Sequence, residues 1–446
     1  MMKRLMFLIF LGLLVRIPGL PREGTGDMAI FKGWGLAVLD HGLTSVYAHP
    51  PVAEKEAMGN AYRLPCDYPP VSPLLLAVPA YVYRALAPRE DCPRLHNVLV
   101  KLPVVLLELL AALGAVDVLR RCGWGRKSLW AFAALWLNPA LIVAGAYLGY
   151  QDSIFASLSL LCLLAIADNR PYSAGVVLAL ALLAKPQAIL AAPVILAVLF
   201  TRQNARAMVL RAAVGALLVA LVILLPFMLD GSVIAMFEGL AKRYAREAVL
   251  SGNCLNLWWI VAVGDGAVLA TPALRLMSRL AFVAFTAANL YVLLARKGRT
   301  KGVFLCAGMQ VYAYASICTG VHENHGLAAL AFFAMLVIFG GQLRLVAILV
   351  SLMMAANLVL FYGLGNGPIL ARMIHGYDRS LLLAWINVGL FAWAAWGLFA
   401  RRSAKTKMKG TPGGVEINAG HLVDAIAELD KGIAGLRAGG KRWTNP

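Results

Sequence analysis

Apolar runs of bilayer length recur along this chain from its first residues to about residue 400, and no other feature constrains the fold as tightly. A helix crosses a hydrocarbon core with about 20 such residues. With 61% hydrophobic residues among 446, the composition excludes an ordinary soluble domain. A formal net charge of +19 could suggest nucleic acid. Lys and Arg, however, cluster in short loops between the apolar runs, which is the positive-inside pattern of membrane proteins. The expected fold class is an all-α polytopic membrane protein, and nucleic acid is not an expected partner.

The first run, Leu5 to Leu20, follows Met1-Met2-Lys3-Arg4 and lacks a small-x-small cleavage site. It reads as a retained signal anchor with a cytoplasmic N-terminus, which places the loop from Pro21 onward outside. Within that loop, Val71 to Ala87 is ambiguous. Its 17 residues reach about 25 Å as a helix, short of a ~30 Å core, and it carries Pro73, Pro79 and Arg84. Were it to cross, Arg120, Arg121, Arg126, Lys127, Arg202, Arg206, Arg296, Lys297, Arg299 and Lys301 would all lie outside. If it only dips into the outer leaflet, those clusters and Arg401 to Lys409 face the cytoplasm, and the charge bias selects that arrangement. Twelve spans follow, near 5–20, 98–119, 128–149, 153–168, 172–184, 187–200, 207–228, 272–295, 302–319, 326–341, 343–362 and 380–400. Both termini are cytoplasmic, residues 1–400 form one transmembrane domain, and 21–97 is its first outer loop.

This topology collects Asp27, Asp67, Lys101, Asp152, Lys185, Arg243, His322, Glu323, His325 and His375 on the outer face. Ionisable groups converging at one side of a membrane read as a site. Asp27 opens the amphipathic stretch Met28-Ala29-Ile30-Phe31-Lys32-Gly33-Trp34, and is either a helix cap or a general base for an acceptor hydroxyl. In Asp67-Tyr68-Pro69-Pro70 the prolines end one segment and set φ for the next helix, while Tyr68 suits an interface. Gln151-Asp152 joins two apolar runs, and Asp152 is either a cap or a site acid. Lys185 sits in an apolar stretch, where a cation needs an interface or an anion such as a lipid phosphate. Val321-His322-Glu323-Asn324-His325 is the densest polar cluster between two runs. It lacks the metalloprotease spacing, so a phosphate contact is preferred to a metal. Lys242, Arg243 and Arg246 precede Asn253 to Trp259, and Trp258 in that aromatic belt suits headgroup or sugar contact. Glu108, inside a span, has no role that the sequence identifies.

The seven cysteines form no zinc pattern. Cys162, Cys306 and Cys318 read as small core residues, and Cys66 and Cys92 could pair on an oxidising side. The tail, 401–446, is different material. Lys405, Lys407 and Lys409 form a basic segment that could meet anionic lipid, and Leu422, Ile426, Leu429, Ile433 and Leu436 line one face of a possible helix.

Asp27, Asp67-Tyr68-Pro69-Pro70, Asn138-Pro139 leading to Gly149-Tyr150-Gln151-Asp152, and His322-Glu323, in that order and on one side, make the chain resemble the GT-C superfamily of integral-membrane glycosyltransferases. The resemblance is closest to the dolichyl-phosphate-glucose glucosyltransferases of asparagine-linked glycosylation and their bacterial polyprenyl-phosphate-sugar-dependent relatives, and covers nearly all of 1–400. It implies a GT-C fold with juxtamembrane helices in the first outer loop, and an inverting hexosyltransferase with Asp27 as catalytic base. It also implies a polyprenyl-phosphate sugar donor whose phosphate is held by basic residues including His322, and a glycan or lipid acceptor; Lys185, Arg243 and Lys101 are the further candidates for that phosphate. Asp67, Tyr68, Gln151, Asp152, Glu323 and Trp258 are the further substrate-binding or structural positions. No cofactor is required on this reading. The chain departs from the group's His-Glu-Lys pattern by carrying Asn324 after Glu323. A bacterial inner membrane with the site facing the periplasm is the expected location. Two other readings stand beside this one: a transporter or flippase of a lipid-linked saccharide, and an O-antigen-ligase-like transferase using a lipid diphosphate.

Overall fold

The computed structural model describes residues 1–400 except 49–51, 56–59, 64–65, 88–91, 247–248 and 297. The tail beyond 400, with its basic segment and its expected amphipathic helix, lies outside the described residues. The chain opens with α1 (Met2–Arg16), α2 (Asp27–His41) and α3 (Ser45–Ala48), then the hairpin β1 (Val52–Lys55) and β2 (Asn60–Arg63), then α4 (Val71–Leu86). Next come α5 (Pro93–Leu119), α6 (Ser128–Trp136), the short α7 (Pro139–Leu141), α8 (Asp152–Ala167), α9 (Pro171–Ala184) and α10 (Ala192–Phe200). They are followed by α11 (Ala205–Leu229), α12 (Val233–Arg246), β3 (Ser251–Gly252), α13 (Leu257–Val261), α14 (Pro272–Ala295) and α15 (Thr300–Ile317). The last elements are β4 (Val321–His322), α16 (Ala328–Ala334), α17 (Gly341–Tyr362), a second hairpin of β5 (Met373–Ile374) and β6 (Tyr377–Asp378), and α18 (Arg379–Phe399).

Among the described residues, five helical stretches are long and apolar enough to cross a membrane: Pro93–Leu148, Ala205–Leu229, Pro272–Ala295, Gly341–Tyr362 and Arg379–Phe399. With the composition, they mark an integral membrane protein. Helix occurs at each of the other expected spans, but in shorter pieces. α1 has 15 residues, α8 has 16, α9 has 14 and α10 has 9. A helix of that size reaches at most about 24 Å. Pro171 starts α9 and Pro193 sits in the first turn of α10, because a ring there costs no hydrogen bond whereas one further in would. α4 is likewise a short apolar helix. It buries Val71, Leu76 and Ala80 while Val78, Tyr81 and Leu86 stay exposed, and it lies against α2.

Phe132, Trp136, Phe155, Tyr312, Phe332 and Phe333 fill a continuous core shared by α6, α8, α15 and α16. α11 stands at the rim, with Leu217, Leu221 and Val222 exposed as a lipid-facing helix requires. Its inner face meets α9 so closely that a Cβ on Gly175 would strike the Ala212 carbonyl. Small residues permit such an approach, and dispersion between the two backbones then replaces lipid contact.

α1 is tied to this core by a buried ion pair. Arg16 Nη2 lies 2.7 Å from Glu108 Oε2, both side chains being 1% exposed. Arg16 also donates to the Trp136 carbonyl at 2.7 Å and its guanidinium lies 3.9 Å from the Trp136 ring. Glu108, without a role in the sequence, thus anchors the first helix to α5. Arg16→Met leaves the acid unpaired and is expected to cost about 3–5 kcal/mol, most of it recovered in Arg16→Met/Glu108→Leu. Thermal unfolding in detergent of the two variants checks this. No disulfide joins Cys66 and Cys92: the Cys66 thiol is buried and donates to the Tyr68 carbonyl at 3.4 Å.

Candidate active site

Four loops meet where α8 begins and where α9, α15 and α17 end. The first carries Asp27. Gly26 takes the cap position of α2, so Asp27 is not the cap that one reading expected but the first helical residue. A carboxylate there is favoured by the positive end of the helix dipole. The start of α2 is pinned to the second loop, since Thr25 N donates to the Leu148 carbonyl at 3.0 Å and Met28 fills the space beside Gly149. The Asp27 charge consequently acts on both Tyr150 and Glu323.

The second, third and fourth loops are joined through side chains. Lys185 Nζ lies 2.7 Å from Asp152 Oδ1, with the two side chains 2% and 0% exposed. The other Asp152 oxygen accepts from Asn324 Nδ2 at 3.0 Å. Asp152 therefore serves a buried polar network rather than the helix end, a burial that is tolerable because the acid is both paired and hydrogen-bonded. Tyr150 Oη donates to Glu323 Oε1 at 2.5 Å. Gln187 Nε2 and His325 Nε2 are 3.4 Å apart, and the His322 and His325 rings pack edge to face with centroids 5.4 Å apart. Tyr314 stacks on His325 with ring centroids 6.3 Å apart.

His322 and Glu323 owe their placement to a short parallel pairing of β3 with β4, Ser251 against Val321 and Gly252 against His322. Glu323 N adds a bond to the Gly252 carbonyl at 3.2 Å. The His322 ring lies over Gly252, where an added Cβ would be 2.5 Å from Nδ1. Gly252→Val is expected to displace that ring with little loss of fold, so its effect should appear as weaker ligand binding rather than lower thermal stability. Ligand titration beside a melting curve separates the two.

Asp67-Tyr68-Pro69-Pro70 builds the floor of the site. Pro70 precedes the first turn of α4, as its fixed φ suits. The Tyr68 ring packs on Phe31 and Trp34 and carries Lys185 Nζ at 4.9 Å from its centroid, a cation–π contact. Tyr47 Oη donates to the Tyr68 carbonyl at 2.6 Å, and Ser72 Oγ donates to the carbonyl of Ala184, next to Lys185, at 2.7 Å. The motif thus holds Lys185 as well as its own loop. Asp67 is half-buried beside it.

One expected phosphate ligand, Lys101, is placed otherwise, and Trp258 and Gln151, open between substrate-binding and structural roles, take structural ones. Lys101 Nζ donates to the carbonyls of Gly19 at 3.0 Å, Arg22 at 2.7 Å and Tyr147 at 3.0 Å. An ammonium has three N–H donors, so none remains for a phosphate. Lys101 instead caps the turn between α1 and α2. Trp258 is buried and its indole N–H donates to the Ile317 carbonyl at 2.6 Å, which spends the only polar group it could offer a sugar. Gln151 is buried and turns its amide back toward the Gly149 carbonyl, 3.5 Å away. Arg243 belongs to α12, and its side chain lies outside the described residues. His375 lies in the exposed turn of the hairpin of β5 and β6.

Sequence reasoning did not assign Tyr150, Gln187, Asn324 or Tyr362 to the site. Tyr150 and Asn324 adjoin residues that it did choose and Gln187 lies two positions from Lys185, and that proximity was their available signal. Tyr362 ends a long apolar helix and carried none. An open hollow lined by Asn169, Gln203, Asn204 and Arg211 lies at the other end of α8, away from all of these acids. Among the described residues no group of three or more His, Cys, Asp or Glu could hold a metal ion.

No protein-family model matches the sequence, and no curated protein matches it. Among solved structures, the chain is similar to a crystal structure of an oligosaccharyltransferase from Archaeoglobus fulgidus in complex with zinc and sulfate, with 14% identity and a TM-score of 0.38 over 92% of this chain and 53% of that one. The chain thus spans about half the length of that protein, and the likeness is too slight to bear on what this chain does.

Proposed function

We propose that the protein is an inverting membrane glycosyltransferase of the GT-C type. It moves a hexose from a polyprenyl-phosphate donor to an extracytoplasmic acceptor hydroxyl, with Asp27 as general base. The observation that carries this reading is the convergence of the Asp152–Lys185–Asn324 network and the His322–His325 pair on one end of an apolar helical bundle, with the Asp27 charge acting on the same place. A lipid phosphate arrives at that level of a membrane, and an acceptor hydroxyl from the aqueous side.

The chemistry is a single displacement. Asp27 takes the proton of the acceptor hydroxyl as its oxygen bonds to the anomeric carbon, the bond from that carbon to the phosphate oxygen breaks, and the configuration inverts. Lys185 and His322 stabilise the charge left on the lipid phosphate. Lys185 delivers one N–H to Asp152, so the ion pair fixes where its positive charge stands. The shorter helices complete a twelve-span arrangement with both termini in the cytoplasm and the site facing the periplasm of a bacterial inner membrane. The deciding assay offers radiolabelled polyprenyl-phosphate hexoses and extracted lipids to the purified protein. A labelled product with a new glycosidic bond supports the reading. Uptake or flux without one favours a flippase, and labelling only from lipid diphosphate favours an O-antigen-ligase-like enzyme.

A further inference from the structure

Glu323 is a buried acid that the displacement above does not use. Its side chain is 6% exposed and sits in the loop between α15 and α16. One oxygen is taken: Tyr150 Oη donates to Oε1 at 2.5 Å. The other, Oε2, is buried and has no hydrogen-bond partner among the described residues. No Lys or Arg pairs with it there. The groups that face it come from every neighbouring segment: Tyr150 before α8, Tyr362 at the end of α17, Asp27 on α2 and Cys254 after β3, with His322 and His325 in its own loop. Tyr362 Oη in turn accepts from Asn253 Nδ2 at 3.2 Å. The acid is therefore backed by two phenols and faces a negative charge, and no Lys or Arg among the described residues pairs with it.

An ionised Glu323 beside Asp27 would repel a phosphate, whereas a protonated one offers it a hydrogen bond. Burial pushes the Glu323 carboxyl up to about 7, the Tyr150 hydroxyl, its own backbone amide and the Tyr362 hydroxyl pull against this, and the Asp27 charge adds to it. Groups whose environments keep one acid neutral beside an ionised one recur where each does a different task.

We infer that Glu323 is a ligand-binding residue in its protonated form, donating from Oε2 to a phosphate oxygen of the lipid monophosphate. The inference rests on the donor class proposed above and adds a residue and a protonation state to it. The sign follows directly. Only the neutral acid donates, so affinity is full below the carboxyl midpoint and falls as pH rises through it, about tenfold per unit once well above.

The experiment has two arms on the purified full chain. Without ligand, infrared difference spectroscopy follows the carboxylic-acid band that Glu323→Gln removes. It is expected to titrate at about 7, and in Tyr150→Phe at higher pH, because that phenol stabilises the anion. A Glu323 band that is gone by about pH 5, near the value for an ordinary carboxyl, overturns the inference and leaves the donor class standing. In the second arm, farnesyl phosphate is titrated into wild type and Glu323→Gln from about pH 6 to about pH 8.5, with thermal unfolding as a control. The probe's own second ionisation, near pH 6, is common to both proteins, so the difference between them is read. A fall in affinity with pH that is confined to the wild type supports the inference, and the same pH dependence in both overturns it. If farnesyl phosphate binds neither protein at any pH, the donor class fails and the inference with it.

Discussion

Asp27→Asn is expected to leave the helices in place, and the donor affinity too at a pH low enough to keep Glu323 protonated in both proteins, while transfer falls by about 10²–10⁴-fold, the share usually supplied by a positioned general base. The substitution keeps the size of the side chain at the first turn of α2, where an amide is also tolerated, but it cannot accept the acceptor's proton. Its reach is local, because Gly26 rather than Asp27 occupies the cap position and the packing of Met28 against the Gly149 turn is untouched. The measurement is product formation from a radiolabelled polyprenyl-phosphate hexose, beside donor titration and a melting curve for the same preparation. Undiminished transfer by the variant would remove Asp27 from the chemistry. The same variant tests the electrostatics independently. Deleting the negative charge that acts on Glu323 should lower the pH at which that carboxyl titrates.

The second large effect concerns Lys185. In Lys185→Met the Asp152 carboxylate, which is 0% exposed, keeps among the described residues its bond from Asn324 alone. Breaking a buried pair on one side costs about 3–5 kcal/mol, because the remaining charge stays desolvated. Lys185→Met/Asp152→Leu removes both charges and is expected to regain most of that stability, as apolar replacement of a buried pair often does. It should not regain phosphate affinity, since the cation is still missing. Thermal unfolding and farnesyl phosphate titration on the two variants and wild type therefore part the two roles of Lys185. Recovery of binding together with stability in the double variant would reduce Lys185 to a packing element, and the phosphate would then need another cation.

Much of the candidate site was legible because its motifs are local. Asp27, Asp67-Tyr68-Pro69-Pro70, Gly149-Tyr150-Gln151-Asp152 and His322-Glu323 are each short polar interruptions between apolar runs. Charge bias alone could assign them to one face. Asn324 was noticed as a departure from a family pattern. Its contact explains what it does here: it donates to an acid that Lys185 has already neutralised. Lys101 misled for the opposite reason. A lysine near a span end suits a phosphate on composition, and nothing in its neighbours in sequence reveals that three carbonyls from two other segments surround it. Trp258 stood open between a substrate-binding and a structural role, because an aromatic belt and a buried indole read alike in one dimension. Hydropathy also marks α8, α9 and α10 as short apolar segments, and helices of 16, 14 and 9 residues occupy them.

What the sequence by itself determined is the partition between water and hydrocarbon. That partition depends on each residue's own transfer free energy summed over a local window, so helices, their polar interruptions and the sidedness of charge can be read in order along the chain. What only the tertiary structure decided is which polar groups meet. Arg16 finds Glu108, Lys185 finds Asp152, and Tyr150 finds Glu323 across 92, 33 and 173 positions. Those meetings follow from how helices pack and where their ends converge. In a low-dielectric interior a charge or carboxyl is tolerable only where such a partner has been brought to it.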